Sequence, residues 1–238
     1  MFLRRRIDKN QSLADSLDAL LPRKRVVYYS PDPKNVLTGL FQKYGSDKGS
    51  GKLTGLPYPW PPHTYSDLYD SIWGQQRERI QRVFECGIGT RSTAFPANMG
   101  PNGIPGASLR AWRDYFVNAQ IHGADIDREV LIDEERIKTY WVDQLSAESI
   151  KLLWQEVGNK EFDVILDDGL HTFKAGSTLF TNSIHALADD GVYVIEDVSR
   201  ADLLVYVEFF KPQSYFVEYH VMSAEHETHD NNVIVVRK

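Results

Sequence analysis

The chain has 238 residues, of which 42% are hydrophobic and 25% charged, and this suits one large domain or one domain with a sizeable cap. Its net charge of −6 argues against nucleic acid as the main partner, because binding a phosphate backbone needs an excess of Lys and Arg. The single cysteine, Cys86, cannot form an internal disulfide, and no apolar run in the sequence reaches the length of a membrane span. We therefore expect a cytoplasmic protein with neither a membrane nor a nucleic acid as its partner.

Residues 1–80 have a different pattern from the rest of the chain. Residues 11–21 predict an amphipathic helix with four leucines on one side. Glycine and proline clusters at 49–51 and 57–62 then exclude regular structure. We predict an N-terminal cap or lid with a mobile loop, which could shape an acceptor site or the contact between subunits of a homo-oligomer.

From residue 81 to residue 238, strand-like and helix-like segments alternate, which predicts an α/β sheet with helices on both faces. The predicted strands are 82–89, 119–126, 137–143, 162–168, 191–197, 214–221 and 232–237. The predicted helices between them are 107–116, 127–135, 146–157, 172–187 and 200–210.

The last two predicted strands are joined by a polar segment, residues 223–231, that is too short for a crossover helix. This pair should therefore be antiparallel. The result is a seven-stranded mixed sheet, with five parallel strands followed by an antiparallel pair. Such a sheet is typical of the Rossmann-like fold of class I methyltransferases that use S-adenosylmethionine (SAM), and an ordinary dinucleotide dehydrogenase would not end this way.

The first predicted strand ends in Glu85-Cys86-Gly87-Ile88-Gly89, an E-x-G-x-G pattern. Gly87 and Gly89 would let a ligand approach the backbone at the carboxyl edge of the sheet, where ligands of open α/β sheets bind. Glu85 has the position of the acid that organises the loop near the amino-acid end of SAM in such sites. The pattern by itself is equally consistent with a plain tight turn.

Polar residues at the next strand ends favour a ligand site. Asp125 or Asp127, after the second strand, can accept hydrogen bonds from ribose hydroxyls, and we favour Asp125 because Asp127 also fits a helix N-cap. Asp143 and Gln144 end the third strand, a place that often contacts the adenine. The helix after the first strand begins near Ser108, which we expect close to the cofactor.

Carboxylates at the ends of the fourth and fifth strands indicate a metal ion. Asp168 follows the fourth strand, and Glu196 and Asp197 follow the fifth. Because neighbouring strands end at the same edge, the three carboxylates can converge, and they would repel one another without a cation. Oxygen ligands select a hard ion, which predicts Mg²⁺ or another divalent cation. An alcohol bound there would lose its proton more readily.

His171 lies three residues after Asp168 and could act as a general base on the acceptor hydroxyl, since the pKa of an imidazole is close to neutral. His171 and Asp168 are therefore the predicted catalytic residues. Considered alone, Asp168 is as consistent with a turn as with a functional site. Asp197 is likewise as consistent with a helix cap as with a functional site. Taken together, ionisable groups clustered at a ligand edge favour function.

Several of these motifs resemble the metal-dependent sugar O-methyltransferases of antibiotic biosynthesis. The matching motifs are FECGIG at 84–89, PGASLRAW at 105–112, NAQIHGADID at 118–127, DDGLH at 167–171 and VYVIED at 192–197. YGSDKG at 44–49 and HTYSDLY at 63–69 are similar to bacterial relatives of that group.

The resemblance implies that the three carboxylates named above bind Mg²⁺, that His171 is the base, and that residues 44–48 close over SAM. The predicted cofactor-binding residues are then Tyr44, Ser46, Lys48, Glu85, Gly87, Gly89, Ser108, Asp125, Asp143, Gln144 and Asp167. The sequence is shorter than family members that have a large N-terminal domain, and it has Leu170 where a small polar residue is usual.

These features predict a SAM-dependent O-methyltransferase that acts on a sugar hydroxyl, either in a glycosylated natural product or in a polysaccharide precursor. The same site could instead methylate a non-sugar acceptor, such as a phosphoramidate or a catechol-like compound. Two other classes stay open. The missing G-x-G-x-x-G motif counts against a nicotinamide-dependent oxidoreductase, and the intact ionisable cluster counts against a non-catalytic SAM-binding protein.

Overall fold

The computed structural model describes residues 12–13, 15–17, 19–21, 35–49, 55, 57–158, 161–222 and 230–238. Much of the predicted cap therefore lies outside the described residues, including residue 11 and most of the glycine cluster at 49–51. The same holds for residues 223–229, in the connection between the last two strands. In the part of the chain that is described, no helix is long and apolar enough to cross a membrane.

Eight strands of the described chain form one mixed sheet in the order β3-β4-β2-β1-β5-β6-β8-β7. The strands are β1 Arg82–Cys86, β2 Gln120–Asp125, β3 Asp133–Glu134, β4 Ile137–Trp141, β5 Phe162–Asp167, β6 Leu187–Ile195, β7 Phe216–Val221 and β8 Asn232–Arg237.

The central strands β4, β2, β1, β5 and β6 are parallel, whereas β8 runs antiparallel to both of its neighbours. The strand order reverses between β1 and β5, which opens a crevice at the carboxyl edge of the sheet. The predicted mixed α/β sheet with an antiparallel last pair is confirmed. It has one strand more than expected, because β3 adds a short antiparallel edge to β4.

The predicted helix at 127–135 is wrong. The chain makes only a 3₁₀ turn over Arg128–Val130. Asp127 caps this turn by accepting a hydrogen bond from the Glu129 amide. It then forms β3 and reverses into β4 at Arg136, which has a positive φ of 59°. The apolar residues here, 130–132, are consecutive instead of helically spaced, so they offer no apolar face for a helix to bury.

Residues 12–13, 15–17 and 19–20 are helical, within the helix predicted at 11–21, and six α-helices with fully described bounds flank the sheet. They are α1 Val36–Tyr44, α2 Tyr65–Trp73, α3 Ala107–Tyr115, α4 Ala147–Val157, α5 Phe173–Ser183 and α6 Arg200–Phe210. The predicted helix at 172–187 therefore ends early, in a 3₁₀ turn over Ile184–Ala186, and β6 begins before the predicted residue 191.

The core has two halves, one on each face of the sheet. Alternate side chains of β1 enter different halves, Val83 one and Phe84 the other, as the twofold repeat of a strand requires. Helices α1, α2 and α3 pack on the Val83 side, and α4, α5 and α6 on the Phe84 side. Leu13 and Leu17, from the predicted first helix, are buried with the Phe84 half. The division of the chain at residue 80 stays a prediction.

Candidate active site

The turn after β1 depends on glycine. Gly87 has a φ of 88°, and a Cβ at this position would lie 1.9 Å from the carbonyl oxygen of Asp168. Gly89 has a φ of 89°. Positive φ values are costly for residues with side chains, so glycine lets the ends of β1 and β5 approach this closely. The predicted glycine turn thus lies beside the loop that carries Asp168.

Asp125 holds this turn in place. Its Oδ2 accepts a hydrogen bond from the Ile88 amide at 2.9 Å, and its Oδ1 accepts one from the Asp127 amide at 2.9 Å. Burial raises the pKa of Asp125, although these backbone donors oppose the rise. Asp127 accepts hydrogen bonds from Thr90 and Glu129. The structure therefore gives Asp125 a role in ordering the loop, and its contact with a ribose stays a prediction.

Gln144 joins the ends of β4 and β5. Its Nε2 donates to Asp167 Oδ1 at 2.6 Å, and its Oε1 accepts from the Leu170 amide at 2.9 Å. Asp167 Oδ2 has no hydrogen-bond partner, and burial raises the pKa of this carboxyl to about 6. Asp143, beside Gln144, accepts from the Leu145 amide. A cavity of about 10 Å³, roughly the space of one water molecule, lies against Asp167.

Glu85 is fully buried at the end of β1 and is held from α3. Its Oε1 accepts from Ser108 Oγ at 2.8 Å, and its Oε2 accepts from Trp112 Nε1 at 2.7 Å. Lys48 Nζ lies 3.4 Å from Glu85 Oε1. Burial raises the pKa of Glu85, and Lys48 opposes the rise. The predicted cofactor residues Glu85, Ser108 and Lys48 are therefore brought together.

Asp168, His171 and Asp197 converge at the carboxyl edge. Each offers a ligand atom, and these atoms all lie within 4.8 Å of one another, as a metal site requires. His171 Nε2 lies 3.2 Å from Asp168 Oδ1 and 3.4 Å from Asp197 Oδ2. Burial alone would lower the pKa of His171, but Asp197 and Asp168 together raise it to about 10.

Glu196 has a different environment from the one predicted. Its Oε1 accepts a hydrogen bond from the Tyr69 hydroxyl, and its Oε2 accepts one from Lys48 Nζ. Burial raises the pKa of Glu196 well above its usual range, against the opposing effect of Lys48. Among the described residues, the group able to hold a metal consists of Asp168, His171 and Asp197, and the metal-binding role of Glu196 stays a prediction.

Residues from the N-terminal part of the chain complete the site. Tyr65 donates to Asp197 Oδ1 at 2.5 Å, and His63 Nε2 lies 3.4 Å from the same oxygen. Asn231 Oδ1 lies 3.3 Å from His63 Nδ1. Sequence reasoning offered His63 only as a weak candidate for the acceptor pocket, and it missed Tyr65 and Tyr69. The spacing of Tyr65 and Tyr69, four residues apart, was the available signal, because it places two hydroxyls on one helix face.

Two residues of the predicted SAM-covering segment are engaged within the chain. The Tyr44 hydroxyl donates to Asp114 Oδ2 at 2.6 Å and accepts from Arg113 at 3.2 Å, and both partners lie on α3. Ser46 Oγ accepts from the Lys48 amide at 3.4 Å. The cofactor contacts predicted for Tyr44 and Ser46 stay predictions.

The charges of the site favour a divalent cation. Four carboxylates lie together, on Glu85, Asp168, Glu196 and Asp197, and one ammonium, that of Lys48, contacts three of them. Burial acts to raise the pKa of Asp197, but its two histidine neighbours lower it. Clustered carboxylates attract cations, and His63 and His171 are the other groups here that can carry a positive charge. The carboxylate oxygens suit a hard ion such as Mg²⁺ or Mn²⁺, whereas an imidazole ligand suits a transition metal.

The sheet order, the glycine turn and the polar carboxyl edge are those of a class I SAM-dependent methyltransferase fold. Comparison with solved structures supports this class. The MycE methyltransferase from the mycinamycin biosynthetic pathway, solved with Mg, SAH (S-adenosylhomocysteine) and mycinamycin VI, superposes with a TM-score of 0.60 at 26% identity. The superposition covers 86% of this chain and 55% of that protein.

Curated relatives point to one kind of methyltransferase. The 8-demethyl-8-alpha-L-rhamnosyl tetracenomycin-C 2'-O-methyltransferase of Streptomyces olivaceus is 32% identical over 165 residues, which is 69% of this chain and 38% of the relative. The mycinamicin VI 2''-O-methyltransferase of Micromonospora griseorubida is 33% identical over 139 residues, 58% of this chain and 32% of the relative. No protein-family model matches the chain.

The predicted resemblance to the sugar O-methyltransferases is confirmed: the chain is related to them in sequence and in fold. The chain spans well under half the length of these curated relatives, 38% of one and 32% of the other.

Proposed function

We propose that this chain transfers the methyl group of SAM to a hydroxyl of a sugar-containing small molecule. A divalent cation, most simply Mg²⁺, is held at Asp168 and Asp197, and His171 takes the proton of the acceptor hydroxyl. The relatives are named for sugar O-methylation, and MycE was solved with Mg and SAH. These names support the proposal for the part of the relatives that this chain matches.

The single observation that carries the proposal is the convergence of Asp168, His171 and Asp197 within 4.8 Å at the carboxyl edge. Methyl transfer is an in-line displacement, in which the oxygen–methyl bond forms as the sulfur–methyl bond of SAM breaks. The protein must align the acceptor oxygen and remove one proton. An imidazole about a third exposed, beside two carboxylates, has the access and the reach to receive that proton.

The base role of His171 requires a neutral imidazole. Asp197 and Asp168 hold the ring in its charged form, with a pKa of about 10. A divalent cation at these carboxylates offsets their charge, so the proposed base and the proposed metal depend on each other. His171 Nε2 is also within range to ligate the ion itself. The two roles compete for one nitrogen, and an experiment can separate them.

The test measures transfer of the labelled methyl group from SAM to a panel of nucleotide-linked and glycosylated acceptors, with Mg²⁺ and with EDTA. We expect methyl transfer to a sugar hydroxyl in the presence of Mg²⁺ and no transfer in the presence of EDTA. His171→Ala should lower turnover by about 100-fold or more, the usual contribution of a general base, and should not weaken the binding of SAH or of Mg²⁺ in calorimetry.

His185→Ala is the matched control, because His185 is exposed on a 3₁₀ turn outside the candidate site, and its turnover should equal that of the wild type. Unchanged turnover in His171→Ala rejects the base role. A parallel loss of Mg²⁺ affinity makes His171 a ligand instead. Binding of NAD without binding of SAM would contradict the whole proposal, and transfer confined to non-sugar acceptors would contradict the sugar specificity. The homo-oligomer and the cytoplasmic location stay predictions.

A further inference from the structure

Lys48 is a buried ammonium inside the carboxylate cluster. Its side chain is 3% exposed. Nζ lies 2.5 Å from Asp168 Oδ2 and 3.4 Å from Glu85 Oε1, and it also donates to Glu196 Oε2. The ammonium thus donates hydrogen bonds to Asp168 and Glu196 and forms an ion pair with Glu85. Lys48 therefore contacts two of the three carboxylates that the sequence assigned to a metal ion.

The backbone of Lys48 is fixed by α2. Its carbonyl oxygen accepts from the amides of Tyr65 and Ser66, both at 3.1 Å, and so satisfies donors in the first turn of the helix. The carbonyl of the preceding residue, Asp47, accepts from the His63 amide at 2.7 Å. The part of Lys48 that is free to change position is therefore its flexible four-carbon stem.

The buried glutamates divide their oxygens between neutral donors and Lys48. Glu196 Oε1 is satisfied by Tyr69, and Glu85 Oε2 by Trp112. The second oxygen of each faces the ammonium, and that of Glu85 also accepts a hydrogen bond from Ser108 Oγ. Among the described residues, Lys48 is the cation in contact with both glutamates. A buried carboxylate without such a partner is strongly unfavourable, so the ammonium does here what a bound cation would do.

We propose that Lys48 is the resident counter-ion of this site and competes with the divalent cation for Asp168 and Glu196. An ion that reaches Asp168 Oδ2 or Glu196 Oε2 must take that oxygen from the ammonium, because two cations at these distances repel strongly. Lys48 thereby lowers the metal affinity of the site. This inference rests on the metal site of the proposed function.

The test titrates Mg²⁺, in the absence of SAM, into the wild type, Lys48→Met and Lys48→Arg by calorimetry. We expect Lys48→Met to bind Mg²⁺ roughly tenfold more tightly, the scale on which neighbouring groups couple. Lys48→Arg keeps the positive charge and should not bind more tightly than the wild type. Equal or weaker binding by Lys48→Met overturns the proposal. So does a loss of SAH affinity with an unchanged Mg²⁺ affinity, which would assign Lys48 to the cofactor instead.

A second measurement uses the wild type, because Lys48→Met leaves buried carboxylates unpaired and its folding is at risk. Acylation of lysines is followed by mass spectrometry with and without saturating Mg²⁺. We expect Lys48 to be protected in the metal-free chain and to react several-fold faster with the ion. Lys43, whose side chain is 57% exposed and paired with Asp114, is the control and should not change.

The two measurements separate this inference from the proposed function. If Mg²⁺ binds and Lys48 stays as protected as before, the competition is contradicted and the metal site stands. If neither the wild type nor any Lys48 variant binds Mg²⁺ or Mn²⁺, the metal part of the proposed function fails, and the inference fails with it.

Discussion

His171 and Asp197 have left-handed backbone conformations, with φ of 55° and 50°. Such conformations are uncommon for residues with side chains, and they concentrate at functional sites, where the surrounding structure maintains them. Here they bring the imidazole Nε2 to 3.4 Å from the Asp197 Oδ2. We infer that the strain is retained because it aims these two side chains at each other across the ends of β5 and β6.

Asp167 yields a prediction about stability and pH. Burial raises its pKa to about 6, above the value of about 3.9 in an unfolded chain. The folded chain therefore binds this proton more tightly, so the contribution of Asp167 to stability is fully present below about pH 4 and is lost as the pH rises through 6. Asp167→Asn is neutral throughout and can still accept from Gln144. Between pH 4 and pH 7, the free energy of unfolding of Asp167→Asn should therefore increase by up to about 3 kcal/mol relative to that of the wild type.

The measurement is urea unfolding of both metal-free proteins at pH 4 and at pH 7. Asp189→Asn, at an exposed position of β6, controls for the loss of an aspartate without the buried environment. A stability difference between Asp167→Asn and the wild type that is the same at both pH values would contradict this account of Asp167.

At the residue scale, the sequence predicts which side chains reach the carboxyl edge better than which way they point. Strand-end reasoning predicted that Asp168, Glu196 and Asp197 meet, and Asp168 and Asp197 do converge, with His171 between them. Glu196 lies beside Asp168, but its oxygens accept hydrogen bonds from Tyr69 and Lys48. Asp197 instead faces Tyr65 and two histidines. The pairing of Lys48 with Asp168 spans 120 residues, and no local pattern indicates it.

At the scale of elements, the site depends on how closely the turn after β1 approaches the loop after β5. A Cβ on Gly87 would meet the backbone of Asp168 at 1.9 Å in a conformation with a φ of 88°. Gly87→Ala should therefore cost at least about 2 kcal/mol of the free energy of unfolding, from the unfavourable φ and the displaced loop.

Gly39 is the matched control, because it lies inside α1 and an added Cβ meets nothing within 4 Å. Gly39→Ala should stabilise the chain by about 0.5–1 kcal/mol, the difference in helix propensity between the two residues. Chemical denaturation measures both. Comparable free energies of unfolding for Gly87→Ala and the wild type would show that the close approach is not needed.

The elements that the sequence predicted well are those with a long, periodic or apolar pattern. The central strands are apolar runs buried on both faces, and α4 has a Ser146 N-cap and a Gly158 C-cap that mark its ends. The segment after β2 failed because its acidic start imitates a helix cap, whereas β3 forms a tight hairpin with β4 and is also held by contacts from other elements. One of these is the ion pair of Glu134 with Arg110 of α3.

At the scale of the whole molecule, the candidate site belongs to both predicted regions of the chain. The parallel sheet supplies Asp168 and Asp197, whereas the first 80 residues supply Lys48, Tyr65 and Tyr69. Helices α1 and α2 also share their core with α3. We therefore expect the N-terminal region to be part of the catalytic unit and not only a cover for it.

The most direct test is a crystal structure of the chain with SAH and Mn²⁺, in which anomalous scattering locates the ion. The account predicts an anomalous peak within coordination distance, roughly 2.0–2.6 Å, of carboxylate oxygens of Asp168 and Asp197, with SAH over the Gly87–Gly89 turn. A peak at another place, no peak at saturating Mn²⁺, or SAH bound away from that turn would contradict it.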